Sequence, residues 1–115
     1  RQRQMCIRDS QSTEGLSRVP AALSRPSLAL SILGMPGLTA WAGMVQQAKV
    51  REGDVVVIPA AVGGVGAMAA QLCKRAGATT IAITSGSEKR RIATEVLDYD
   101  HCIDRITSSS TNTNN

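Results

Sequence analysis

Aromatic rings are nearly missing from this chain. Trp41 and Tyr99 stand alone at 2% of the composition, and there is no Phe. A protein so short of rings has little with which to stack nucleic-acid bases. Its core has to come from Ala, Val, Ile and Leu, which bury less area per residue than rings do. Histidine is as scarce, with His101 the single one. The cysteines, Cys6, Cys73 and Cys102, are odd in number and nowhere at C-x-x-C spacing. That argues against a disulfide framework and a zinc site, and for reduced structural thiols in a cytoplasmic protein. Long apolar runs are missing too. Residues 28–45 are interrupted by Gly34, Pro36 and Gly37, so neither a membrane span nor a secretory signal is expected.

What is present suits one small domain: 115 residues, 43% of them hydrophobic. The net charge of +4 fits an acidic ligand. Much of the basic surplus sits in Arg1, Arg3, Arg8 and the run Lys89-Arg90-Arg91. With so few rings beside it, a nucleic-acid partner is not expected.

Residues 1–26 read as an unstructured leader. Within it, Met5-Cys6-Ile7-Arg8-Asp9-Ser10 resembles translated sequencing-adaptor read-through, which sets residues 1–10 apart as non-native. Residues 107–115 contain only Thr, Ser and Asn and read as a disordered tail. Between these ends, residues 27–106 predict alternating elements. Ser27 can cap a first helix, and Pro36 suits the first turn of a second one reaching about residue 48. Residues 51–54 form a turn. The β-branched run Val55-Val56-Val57-Ile58 lacks alternation, which predicts a parallel strand buried on both faces. Ala69, Leu72, Cys73 and Ala76 then recur at helical spacing, with Lys74 and Arg75 near the end and Gly77 as the C-terminal cap. Residues 80–84 predict a second buried strand. Ser85 and Glu88 form a capping box for a helix over residues 87–97, and His101 opens a third strand. The expected fold is α/β, an incomplete doubly wound (Rossmann) parallel sheet.

The chemistry concentrates in residues 60–66. A strand-to-helix turn offers backbone N–H groups and the positive end of a helix dipole to a phosphate. Side chains there would hold a pyrophosphate away, and Gly63, Gly64 and Gly66 remove them. Counted from Ala60 the pattern is A-x-x-G-x-x-G, with alanine where G-x-G-x-x-G has its first glycine. The second strand ends at Thr84-Ser85-Gly86-Ser87 without the acid that accepts ribose hydroxyls in NAD sites. Ser85 can instead donate to a 2′-phosphate, and Lys89 or Arg90 can neutralise it, so NADPH is expected over NADH. Arg91 fits an ordinary solvated helix face.

Three stretches together, Gly34-Met35-Pro36-Gly37-Leu38-Thr39-Ala40-Trp41, the turn at 60–66, and Ser85-Gly86-Ser87-Glu88-Lys89, are similar to the zinc-independent medium-chain reductases. The prostaglandin reductase (leukotriene B4 dehydrogenase) branch is the nearest in pattern. The resemblance covers roughly residues 27–104. It implies NADPH-dependent hydride transfer to the β-carbon of an α,β-unsaturated ketone or aldehyde, with an enolate formed and no metal used. It also implies that Gly63, Gly64, Val65 and Gly66 line the pyrophosphate, that Lys89 or Arg90 meets the 2′-phosphate, and that Met35 and Thr39 lie near the nicotinamide. Two positions depart from the family pattern. Asp98 stands where the family has a glycine, and Arg105 where it has a tyrosine beside the adenosine ribose and phosphate.

By the same resemblance, an N-terminal GroES-like barrel and the family's substrate-facing tyrosine have no counterpart here. The chain therefore reads as a fragment that holds cofactor without catalysing, from a parent reductase of the homodimeric kind. The alternatives are a quinone or enoyl-thioester reductase of the same superfamily, a non-catalytic NADPH-binding module, and an inert truncated segment.

Overall fold

The computed structural model describes residues 12–106. The expected read-through segment 1–10 and the tail 107–115 lie outside the described residues. A 3-10 turn spans Pro26–Leu30. Helix α1 spans Met35–Trp41 and continues through a wide π turn, Ala42–Gln47. Strand β1 follows at Val55–Pro59, helix α2 at Gly64–Arg75 and strand β2 at Thr79–Thr84. Helix α3 spans Ser87–Arg91 and continues as a π turn, Ile92–Val96, before strand β3 at His101–Asp104. All three strands are parallel in the order β1-β2-β3. This is the expected order of elements for a partial Rossmann sheet.

Two caps differ from expectation. Ser27 does not open the first helical turn; Pro26 does, with no side chain capping it. Proline there has its φ already set and has no N–H to satisfy. Ser85 and Glu88 form no capping box either. Gly86 precedes α3 at φ 96°, and its N–H donates to Asp104 Oδ1 at 3.2 Å. A residue in that conformation turns the chain away from the geometry in which Ser85 could reach the helix end.

The strands are not buried on both faces. Thr80, Ala82 and Thr84 of β2 are buried and alternate with half-buried neighbours, and Ile58 of β1 is buried. On the opposite face Val55 is 63% exposed, Val57 51% and Ile103 47%. Helix α2 packs on β1 and β2, α3 packs on β3, and α1 packs on α2. Within the described residues the helices thus cover one face of the sheet, and the β-branched runs are apolar on a side that nothing here covers.

The covered side is built from small residues. Ala61, Ala69, Ala70, Cys73, Ala78, Ala82 and Ala93 are buried together with Ile58 and Tyr99. Leu72 and Val56 are only half-buried against them, so alanine rather than leucine and valine makes the core. Thr80 is the largest side chain buried outright. Its N–H and hydroxyl lie 2.7 and 2.8 Å from Asp100 Oδ2, which ties β2 to the entry of β3.

Those two bonds set an acid-side expectation. The Thr80 N–H, then its hydroxyl, with Lys74 adding attraction, hold the Asp100 carboxyl below its ordinary 3.8. A carboxyl whose folded value is depressed stabilises the fold above its unfolded value and loses that contribution as pH falls through the lower folded one. Asp100→Ala should lower stability by about 1–3 kcal/mol, the range for removing a charged acceptor from buried donors. Urea denaturation at pH 7 and at pH 3 checks this: the difference between wild type and variant should be smaller at pH 3.

Candidate functional site

β1 ends at Pro59 and α2 begins at Gly64, so the chain reverses within four residues. Ala60 takes φ 49°, in the left-handed region. Glycine enters that region freely, whereas an L-residue with a side chain does so at about 1–2 kcal/mol. The Gly63 N–H closes the turn on the Ala60 carbonyl at 2.8 Å, and Gly63 is then the N-terminal cap of α2. A Cβ on Gly66 would lie 2.6 Å from the Ala60 oxygen and 2.9 Å from Ala61 Cα and oxygen. The first turn of α2 therefore sits directly on the strand end, and only a hydrogen fits between. Gly63, Gly64 and Val65 stay exposed. Their position puts the unpaired N–H groups of a helix start, and its dipole, at the carboxyl edge of the sheet.

Beside this turn lies a cavity of about 390 Å³ lined by residues 59–63, Ile83, Thr84, Ser85, Lys89 and Arg105. It opens at the carboxyl ends of β1 and β2, where open α/β sheets take their ligands. Of the residues expected from sequence, Gly63, Ser85 and Lys89 share this lining. Gly64, Val65 and Gly66 continue from it into α2. Arg90 does not line it, although its backbone N–H donates to Gly86. Arg91 pairs with Glu95 at 3.4 Å along the helix surface. Met35 and Thr39 lie on α1, exposed and outside the cavity. Their helix nonetheless abuts the turn, with Pro36 3.5 Å from a Cβ on Gly64.

Three residues at or behind the site were not recognised from sequence. Arg105, following β3, contributes a second cation to the lining. Asp104 brings a carboxylate close to the tip of β2, where it accepts the Gly86 and Ile106 N–H groups at 3.2 and 3.0 Å. Tyr99 lies behind the turn, 96% shielded, with its hydroxyl between two turn carbonyls. The departure at Arg105 was a signal for the first. The other two depend on contacts between residues far apart in the chain. Among the described residues no group of three or more His, Cys, Asp or Glu side chains could hold a metal, and no helix is long and apolar enough to cross a membrane.

Comparison with known proteins bears on this geometry. No family model matches the chain. It is 40% identical over 96 residues to the NADPH-dependent curcumin reductase of Escherichia coli K12, covering 84% of this chain and 28% of that protein. It is 38% identical over 74 residues to mouse prostaglandin reductase 1, covering 64% of this chain and 22% of that one. The crystal structure of CurA from Vibrio vulnificus in complex with NADPH superimposes with a TM-score of 0.70 at 41% identity, over 76% of this chain and 26% of the other. The chain belongs to the medium-chain reductases. It spans about a quarter of the length of these relatives. Ala60 stands just before the alanine, Ala61, that takes the first position of G-x-G-x-x-G, and it holds the left-handed region without being glycine. Asp98 does the same at φ 55°, where the family pattern has glycine. Asp is among the few side chains that tolerate that region, and Lys74 pairs with its carboxylate.

Two single substitutions in the turn should have opposite signs. Ala60→Gly should raise stability by about 0.5–1 kcal/mol by releasing the left-handed strain, less the entropy that glycine adds to the unfolded chain. Gly66→Ala should lower it by about 1–3 kcal/mol, because backbone rather than a flexible side chain has to move. Midpoints of chemical denaturation for the two variants check both signs.

Proposed function

We propose that this chain is the dinucleotide-holding segment of an NADPH-dependent reductase acting on the carbon–carbon double bond of an α,β-unsaturated carbonyl compound. One observation carries the reading: a single cavity joins the glycine turn to Ser85, Lys89 and Arg105 at the carboxyl edge of a parallel sheet. The turn suits a pyrophosphate. Gly66 leaves no room for a side chain, and Gly63, Gly64 and Val65 present backbone to solvent at a helix start. The tip of β2 suits a 2′-phosphate. Ser85 can donate a hydrogen bond, and Lys89 and Arg105 supply positive charge.

In this reading Gly63, Gly64, Val65 and Gly66 hold the pyrophosphate. Ser85 and Lys89 hold the 2′-phosphate, Lys89 being the one of the Lys89/Arg90 alternatives that lines the cavity, with Arg105 as a further cation. Asp104 has its Oδ1 turned to the Gly86 and Ile106 N–H groups, which keeps that oxygen from competing as a ribose acceptor. Met35 and Thr39, exposed on α1 and outside the cavity lining, are assigned to the nicotinamide end by the family resemblance. NADPH, when bound, supplies the hydride; the residues of this segment orient it and exclude water from its phosphates. The remaining length that the relatives have would carry the substrate wall, in accord with the small share of each relative that this chain spans.

Fluorescence titration of the full chain with NADPH and with NADH tests the cofactor reading. NADPH should bind about tenfold more tightly, the effect of one charge-assisted contact to the 2′-phosphate. Lys89→Gln and Arg105→Gln should each narrow that gap, and Arg90→Gln should leave it unchanged. Equal affinity for the two dinucleotides would sink the 2′-phosphate assignment. The reductase reading fails separately if the flanking coding sequence carries no in-frame barrel domain.

A further inference from the structure

We infer that the Tyr99 hydroxyl is a positioning group for the pyrophosphate turn, a conclusion that rests on the cofactor reading above. Tyr99 is the only ring buried among the described residues, at 4% exposure, and it lies outside the cavity lining. Its hydroxyl is 3.1 Å from the Ala61 carbonyl oxygen and 2.9 Å from that of Gly66. One phenolic hydrogen is thus shared between two acceptors on either side of the turn, 38 and 33 residues away in sequence. The Ala61 peptide is trans, as are all among the described residues. A planar trans peptide sends its N–H opposite to its C=O. Drawing the Ala61 carbonyl back toward Tyr99 therefore directs the Val62 N–H away from it, and Val62 lines the cavity. Holding the Gly66 carbonyl fixes the first turn of α2 against the same point.

The ring itself is clamped from both neighbours. Lys74 Nζ donates to both the carbonyl and the carboxylate of Asp98, and Asp100 accepts the N–H and hydroxyl of Thr80. The Tyr99 N–H donates to Ala93 at 3.0 Å. These contacts tie residues 98–100 to α2, β2 and the helical stretch before β3, so Tyr99 can anchor the turn. Burial, with Cys73 and Cys102 nearby, pushes the phenol up to about 12, so it remains a donor at ordinary pH.

Tyr99→Phe in the full chain keeps the ring and removes only the oxygen. NADPH affinity should fall about three- to tenfold, the effect of one hydrogen bond. Adenosine 2′-phosphate, which has no pyrophosphate, should compete at the β2 tip with affinity unchanged. Amide exchange of the ligand-free variant should quicken at residues 62–66 and stay unchanged in β2. Three results would overturn the inference: equal loss for both ligands, unchanged exchange in the turn, or loss of protection throughout the sheet, which would make the hydroxyl a matter of stability alone. If wild type binds neither NADPH nor adenosine 2′-phosphate, the cofactor reading itself fails and takes this inference with it.

Discussion

The distance between Gly66 and the end of β1 governs the architecture of this segment. Helix α2 must place Ala69, Ala70 and Cys73 against Ile58 and Ala82, and it can do so only if its first turn begins on top of Ala60 and Ala61. A Cβ at residue 66 would push the helix off the sheet and open a gap over the small side chains of Ala61, Ala69 and Ala70. The same close approach requires an abrupt reversal, which is why Ala60 is driven into the left-handed region. It also decides where the helix start points. The N–H groups of the first turn end up beside the carboxyl ends of β1 and β2, so the packing solution and the anion-binding geometry are one arrangement.

Much of this was legible in the residues. The β-branched run at 55–58, the stripe through Ala69 and Cys73, and Gly77 at φ 81° each carry their element's signature locally. What was not legible depends on partners distant in sequence. Burial of a strand on both faces is set by how many layers surround it, and Val55 and Val57 are as apolar in a half-covered sheet as in a fully covered one. The capping box at Ser85 and Glu88 satisfied a local pattern. It lost to the left-handed Gly86 and to a carboxylate 18 residues onward, at Asp104. In the site, the basic run at 89–91 drew attention to neighbours in sequence. Only Lys89 of that run lines the cavity, and the second cation arrives after β3, at Arg105. Residues 90 and 91 follow Lys89 around a helix, which carries them off the face that Lys89 presents to the cavity.

The apolar distribution has its own logic. On the covered side the side chains are small, so helices lie close to the sheet and backbone geometry dominates. On the other side Val55, Val57 and Ile103 form a larger-residue surface exposed to solvent among the described residues. Ile32, Leu33, Leu38 and Trp41 add an apolar surface at the α1–α2 seam. These surfaces stand apart from the carboxyl edge of the sheet, where Gly63, Ser85, Lys89 and Arg105 line the cavity. On the proposed reading, cofactor grip and further packing therefore fall on separate surfaces.

Strain persists in a fold where the surroundings over-determine it. Ala60 and Asp98 both sit at positive φ; Ala60 is closed by the Gly63 N–H within its own turn, and Asp98 is held from elsewhere in the chain. Asp98 is held by Lys74 of α2, and the neighbouring Asp100 by Thr80 of β2. Tyr99, between them, reaches the two carbonyls that bracket the turn. The restraints thus lie behind the turn, while its exposed N–H groups lie in front. On the proposed cofactor reading, a phosphate arriving at the front would meet a turn whose shape is already set from behind, so little of its binding energy would go into ordering the backbone. Left-handed Ala60 thus sits in a turn whose next carbonyl, that of Ala61, is held from behind by Tyr99.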